Sequence, residues 1–559
     1  MKLLIIILVL AATLRLWNLG NVPPSLTVDE TALGYNAYSI LKTARDEHGR
    51  FLPLIFESFG DWKPGLYIYT AVPTIAIFGL NEFATRLPGA ISGVVAVWLI
   101  YLLSGELFVK RLLPQARSKI NTNSIQLFSC LFLAISPWHL QFSRGAWEAG
   151  MSLTLTLAGI YFFLRAIRDK PSWLIFSGLF FGSTLITYQG AKLATGIVIL
   201  ILLVLWGKNI VLLSRKIILL SFLVGTLIGL PAITSVLTGK AGRLEVFSVF
   251  SYPRPERLVG QILRYGNETK NSTEYILFHS EQLNFARGVL GRWMNHFSPR
   301  FLFFEGDWQN PQHGVPNAGV LLFTDLLFLV GGFILLLRLG GKKSVLFLLF
   351  WLVFAPFPAA LSKDNVHAIR ALNGVLPLTI ILACGATFIL EKLNKLKPKM
   401  IIYGLLLIVY CMNFVYFLDQ YFVHAPIRNA KYWQYGHEQI VEVVVPLQNK
   451  YDKIVIAQSY AQPYIYFLFY QKYDPLKYQE DQFVVKTSGG LDVGLVNRLN
   501  NLEFKVIDWH FARGISGVLF IGNPEQIPPS DSNDPSQFKI IEEIKYPDKS
   551  TAFRLVEVL

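Results

Sequence analysis

The stretch Leu26–Arg50, LTVDETALGYNAYSILKTARDEHGR, follows closely on an apolar opening, MKLLIIILVLAATLRLW (1–17). How that junction is read decides the fold. Lys2 ahead of an apolar run looks like a secretory leader, but no small-x-small cleavage site follows, and Arg15-Leu16-Trp17 has the make-up of an interfacial anchor. The opening therefore reads as a retained first membrane span. Two adjacent carboxylates, Asp29 and Glu30, then stand just beyond it, at the far face of the bilayer. Two explanations compete: they start a helix, or they do chemistry.

Composition supports the membrane reading. Of 559 residues, 53% are hydrophobic and only 16% charged, too little polar surface for a soluble chain of this length. Apolar runs of about 17–25 residues fall near 2–17, 84–108, 124–142, 147–167, 172–189, 190–207, 216–237, 317–338, 344–361, 371–391 and 400–417. That is about eleven spans, with a weak division at Tyr188-Gln189-Gly190. The three cysteines, Cys130, Cys384 and Cys411, all lie inside apolar runs and offer neither a disulfide framework nor metal-ligand spacing.

The formal net charge of +14 is explained by where the cations sit. With the N-terminus in the cytoplasm, alternate loops carry them: Lys110, Arg111, Arg117 and Lys119, then Arg165, Arg168 and Lys170, then Lys208, Arg215 and Lys216. Arg338, Lys342 and Lys343 continue the series, and Lys392, Lys395, Lys397 and Lys399 close it. This is a positive-inside orientation signal, and no nucleic-acid partner is needed to account for it. It predicts a multi-pass plasma-membrane protein with its C-terminal end outside.

Three segments on the outer side are too polar to span: 18–83, 238–316 and 418–559. The expected organisation is a transmembrane domain over 1–417 and an extracytoplasmic α/β domain over 418–559. In the latter, strand-like runs (KIVIAQ, GVLFIG, FRLVEVL) alternate with helix-compatible stretches (AKYWQYGHEQIVEVV, PYIYFLFYQ). In the first outer segment, Leu33, Ala37, Ile40 and Leu41 share a helical face, and KPGLYIYTAVPTIAIFGL (63–80) reads as a second helix; both suit helices lying at the interface. Thr27-Val-Asp-Glu30 fits a capping box, with Thr27 as N-cap and Glu30 reaching back. Capping and chemistry are compatible if Glu30 caps while Asp29 faces a substrate.

Several stretches, taken in order, resemble a known family. DETALGYNAYSILKTARDEHGR, FGDWKPGLYIYTAVP and FGLNEFATRLPGAISG are followed by SPWHLQFSRGAWEAG (136–150), HFSPRFLFFEGD (296–307), HGVPNAG (313–319) and HAIRALNGVLP (367–377). The set is similar to bacterial GT-C glycosyltransferases of the family 39 group, which includes protein O-mannosyltransferases and lipid A aminoarabinose transferases. The similarity extends to about residue 440. It implies a polytopic helical fold with interfacial helices after the first span. It also implies transfer of one sugar from a polyprenyl-phosphate carrier to an acceptor hydroxyl of a protein, lipid or glycan outside the membrane.

That resemblance implies roles for particular residues. Asp29 matches the family's catalytic acid and is expected to act as the base, with Glu30 orienting the acceptor or holding the loop. Lys63 matches the lysine that contacts the carrier phosphate in aminoarabinose transferases. Those proteins have an acid immediately before that lysine, whereas here Trp62 stands there and Asp61 comes one place earlier. Asp61 is expected to cap the following helix or to join the site. Arg144, Lys192, His367 and Arg370 are candidate outer-face cations for the phosphate. Each has a plainer reading: an Arg144–Glu148 ion pair at i, i+4, a snorkelling Lys192, or interfacial anchors, which would also describe Arg86. The aromatic loop 296–313, with Glu305, Asp307 and His313, would roof the cleft or merely pack. Asp325 lies inside an expected span, where a carboxylate needs a partner or a cavity. No cofactor is required by these residues, and a divalent cation is compatible with the acidic pair without being called for.

The rival readings are a transporter and an oligosaccharyltransferase-like enzyme. Transporters place ionisable groups near the midplane of repeated, broken helices. Here the polar groups cluster in outer loops and no repeat is evident. Transfer of a whole glycan would call for a larger acidic metal site than Asp29 with Glu30.

Overall fold

A computed structural model of the chain describes residues 1–108, 121–238, 248–458, 462–480, 484–485 and 495–559. The basic loop containing Lys110, Arg111, Arg117 and Lys119 lies outside the described residues.

A helix occupies each of the eleven expected spans, although they are not equal. Among the described residues, seven helices are long and apolar enough to cross a membrane, or eight if a bent pair counts as one span. That pair is Thr122–Ile135 with Pro137–Ser143, bent by 58°. Ser136 breaks the run: its side chain accepts from the His139 N–H and Pro137 takes the first helical position, so a new helix starts in a new direction. The helices Lys2–Leu16, Trp173–Leu185 and Asp325–Leu339 are shorter. The last begins eight residues later than the expected start at 317. Asp325 is its first residue, and its carboxylate accepts from the Leu322 N–H and the Tyr410 hydroxyl. Arg15 is no interfacial anchor. It is fully buried and donates to the Ala11, Leu133 and Ala134 carbonyls and bonds to His139 Nδ1.

The first outer segment builds the floor of the site. Helix α1 (Lys2–Leu16) leads to α2 (Val28–Thr43), which ends at Ala44 in a left-handed conformation. Leu33, Ala37 and Ile40 are buried on its inner face, whereas Leu41 is exposed. A hairpin then replaces the expected start of the second helix. Strand β1 (Ile55–Ser58) pairs antiparallel with β2 (Asp61–Pro64) across Phe59-Gly60, both at positive φ as such a two-residue turn requires. Phe59 is a poor residue for that backbone. Its burial against the Tyr464 ring at 6.1 Å offsets the strain. Helix α3 (Leu66–Phe78) follows, so Asp61 lies on a strand and caps no helix.

The C-terminal region is a six-stranded sheet. Ile454–Ala457 lies at its centre, parallel to Leu502–Lys505 and Leu519–Gly522. Thr551–Val558 and Phe538–Lys545 extend it antiparallel on one side, and Arg498–Leu499 edges the other. The three strand-like runs and the stretch 463–471 fold as expected, but the helix read in 430–444 begins only at His437. The boundary at 417 is also softer than expected, because the preceding helix runs to Asp419 and continues through a π turn to Arg428. One apolar core joins this region to the first outer segment: Leu33, Tyr35, Tyr67 and Ile68 pack in the same cluster as Ile440, Phe467 and Leu519.

Candidate active site

The capping box is present, and it separates the two acids. The Thr27 side chain accepts from the Glu30 N–H at 3.3 Å, and the Thr27 N–H donates to Glu30 Oε2 at 3.0 Å. Glu30 is therefore drawn inward, to 1% exposure. There it accepts from Arg86 Nε at 3.0 Å and the Ala146 N–H at 2.8 Å. Arg86 also donates to the Leu19, Pro23 and Ser25 carbonyls and is no interfacial anchor. Four donors thus fall on the two Glu30 oxygens and tie the start of α2 to Arg86 and Ala146.

Asp29, one residue earlier, turns outward with its side chain 57% exposed and pairs with Lys63 from β2. Burial pushes the Lys63 ammonium down, but Asp29, Glu148 and Asp61 more than offset this and leave its pKa raised. Lys63 thus stays charged at the centre of three carboxylates. Its ammonium lies over the Phe59 ring at 5.3 Å. The Asp61 carboxylate accepts from the Trp62 N–H at 2.8 Å. The Trp62 ring is covered by the Arg50 guanidinium at 4.4 Å, and its carbonyl accepts from Gln189.

Glu148 is the residue that sequence reasoning misplaced. It opens helix Glu148–Arg168 and acts electrostatically on Lys63. Arg144, its expected partner, is fully buried and donates to the Leu14, Trp17 and Val22 carbonyls, so it clamps the first turn of chain after α1. Neither the surface ion pair nor a phosphate contact survives for Arg144. Arg144 and Glu148 do not share a helix, because one helix ends at Ser143 and the next begins at Glu148.

Lys192 lies in the first turn of helix Ala191–Val211. It does not snorkel: its ammonium is buried and has no hydrogen-bond partner among the described residues, and Asp61 is the carboxylate that acts on it. A buried ammonium in that state is costly unless an anion joins it. Tyr188, four residues earlier, feels the charges of both Glu148 and Arg370, which brings the 362–371 segment to the same cleft. Arg370 donates to Asp364 at 3.0 Å. His367 is buried, and burial, with Arg370 and two neighbouring histidines, pushes its pKa well below the ordinary value. It is neutral, so it adds no positive charge for a phosphate. His313 is also buried, 3.3 Å from Asp307, edge-on to Trp147 and tilted against His367. In the loop 296–313, Phe301 and Phe303 pack inside while Phe304 is exposed, and Glu305 pairs with Arg300 at the surface.

The cleft therefore combines an accessible carboxylate, two further acids and three cations near the ends of several helices. That set can take a proton from one reactant while neutralising an anionic leaving group on another.

Comparisons with known proteins bear on the fold. Residues 63–234 match the family model described as dolichyl-phosphate-mannose-protein mannosyltransferase. Curated protein sequences give no significant match. Among solved structures, the chain is similar to ArnT from Cupriavidus metallidurans in the apo state, at 12% identity and a TM-score of 0.52, covering 99% of this chain and 97% of that one. ArnT bound to undecaprenyl phosphate aligns at 11% identity and a TM-score of 0.50 over the same shares. The oligosaccharyltransferase AglB from Archaeoglobus fulgidus gives 13% identity and a TM-score of 0.49, covering 84% of this chain and 63% of that one. The chain thus shares the fold of ArnT over nearly its whole length, and residues 63–234 match the mannosyltransferase family model.

Proposed function

We propose that the chain moves a single sugar from a polyprenyl-phosphate donor to an acceptor hydroxyl on the extracytoplasmic face, with Asp29 as the base. The observation that carries this reading is the buried, unpartnered ammonium of Lys192, within the reach of Asp61, which also acts on Lys63. A phosphate between Lys63 and Lys192 supplies the missing acceptors. It also competes with Asp29 for Lys63, and so releases the Asp29 carboxylate. The acceptor oxygen then attacks the anomeric carbon and its proton passes to Asp29. The bond from that carbon to the phosphate oxygen breaks, and the electron pair leaves with the polyprenyl phosphate, whose charge Lys63 and Lys192 meet. ArnT binds undecaprenyl phosphate, and the matched family model is named for a dolichyl-phosphate sugar; both support a lipid phosphate as carrier here.

The test is to incubate the purified protein with a panel of polyprenyl-phosphate sugars and follow release of the free lipid phosphate. Release from one member, dependent on an added hydroxyl acceptor, is expected; consumption of none would remove the reading. Topology has its own check. In a cysteine-free background, Leu52→Cys in the first outer segment should react with an impermeant maleimide on intact cells, and protection there would place the acids on the wrong side.

A further inference from the structure

The mechanism above leaves one buried group of side chains unused. Asp307, His313 and His367 are 2%, 7% and 7% exposed, and one ligating atom of each lies within 4.8 Å of the others. We propose that these three residues bind one divalent transition-metal ion, with zinc the expected occupant, and that the ion clasps the outer loop 296–313 to the 362–371 segment that carries Arg370.

A hydrogen-bonded Asp–His pair accounts for only part of the cluster. His313 Nδ1 is 3.3 Å from Asp307 Oδ2, which is acceptable for that pair. His367 is left over. Its Nδ1 is buried with no partner, and its Nε2 is 3.8 Å from Asp364 Oδ2, beyond hydrogen-bond reach. A neutral imidazole carries one donor and one acceptor nitrogen, and leaving such groups unmatched in the interior is costly. Among the described residues nothing bonds to His367 Nδ1. The His313 and His367 rings also sit side by side, with centroids 4.9 Å apart and planes at 39°, next to a carboxylate.

The surroundings are those of a supported ligand set. Asp307 Oδ1 accepts from the Asn310 N–H and side-chain amide, and Oδ2 accepts from the Ala368 N–H at 2.7 Å, which fixes the carboxylate plane. The His367 N–H donates to His296 Nε2 at 3.1 Å, which holds the segment in place. Outer partners of this kind orient ligands and raise affinity. Zinc ligands at 2.0–2.1 Å in a tetrahedron are roughly 3.3 Å apart, so the cluster needs to close by about an ångström or a little more. Two imidazoles and one carboxylate suit zinc, cobalt or nickel. Calcium and magnesium prefer sites made wholly of oxygen. The fourth position remains for water.

The site is distinct from the Asp29–Lys63 cluster and does not rest on the transfer chemistry. Its consequence is positional: the clasp fixes His367, three residues from Arg370, and joins two loops that otherwise meet through hydrogen bonds.

The experiment uses the full chain in detergent, purified on an affinity tag without histidines and stripped with chelator. Calorimetric titration with zinc is expected to show one ion per chain, and cobalt should give the visible bands of a tetrahedral site. His313→Ala and His367→Ala should each weaken zinc binding by more than about 100-fold, whereas His510→Ala in the C-terminal region should not change it. His367→Cys keeps a ligand at that position, so it should retain binding and add a thiolate-to-cobalt charge-transfer band; this variant also shows that loss in the alanine variants is not misfolding. Absence of stoichiometric binding in the wild type overturns the proposal. So does unchanged affinity in both alanine variants, or a cobalt spectrum that His367→Cys leaves unaltered.

Discussion

Glu30 accepts a hydrogen bond from Arg86 Nε at 3.0 Å with both side chains out of solvent, while its neighbour Asp29 reaches the surface and Lys63. One residue is about 100° of rotation on an α-helix, and that rotation divides an acidic pair into a buried member and an exposed one. Removing one partner of a buried ion pair strands the other charge and typically costs about 3–5 kcal/mol. Glu30→Ala should therefore lower the unfolding temperature sharply. Asp29→Asn, at an exposed site, should leave it nearly unchanged. Thermal unfolding of the two variants in the same detergent compares them directly.

Lys192 gives the opposite combination. Its ammonium is buried without a partner, so Lys192→Met removes a desolvated charge and should raise thermal stability. The same change should weaken binding of the polyprenyl-phosphate donor by about 10–100-fold, the worth of one charge-assisted hydrogen bond. A variant that loses both stability and donor affinity would point to a structural role.

The outer segment and the C-terminal region are coupled through Gly34. A Cβ there would come within 2.6 Å of the Phe469 ring and 2.7 Å of Thr85. Gly34→Ala should cost about 1–3 kcal/mol by overpacking. Pairing it with Phe469→Leu should recover part of that loss, which a double-mutant cycle measures.

Glu438 makes stability depend on pH. Burial, then Glu82 and Glu442, push its carboxyl up to about 7 from the ordinary 4.5. The folded form holds a proton that the unfolded chain releases earlier. Its stabilising contribution is therefore complete below the unfolded value and is lost as pH rises through about 7. Glu438→Gln should raise the unfolding temperature near pH 8 and change it little near pH 4.

Much of this was legible in the sequence, for physical reasons. Apolar runs and cation placement report the solvent a helix meets, so the spans, the outer segments and the C-terminal sheet follow from composition. The capping box follows because it is a local exchange between Thr27 and Glu30. What was hidden depends on packing between distant segments. The Phe59-Gly60 turn is paid for by Tyr464, some four hundred residues away in sequence, so the hairpin left no local signature. Arg144 and Arg15 read as surface cations because nothing nearby shows that remote backbone carbonyls wait for them. Glu148 reads as the i+4 partner of Arg144, and its electrostatic reach to Lys63 lies outside any periodicity.

The most direct measurement is single-turnover transfer by Asp29→Asn with the donor bound. The account predicts intact membrane insertion, donor affinity close to wild type and a rate about 10²–10⁴-fold lower, the usual worth of a positioned base. Wild-type turnover in that variant would contradict it, and would move the proton to another group in the cleft.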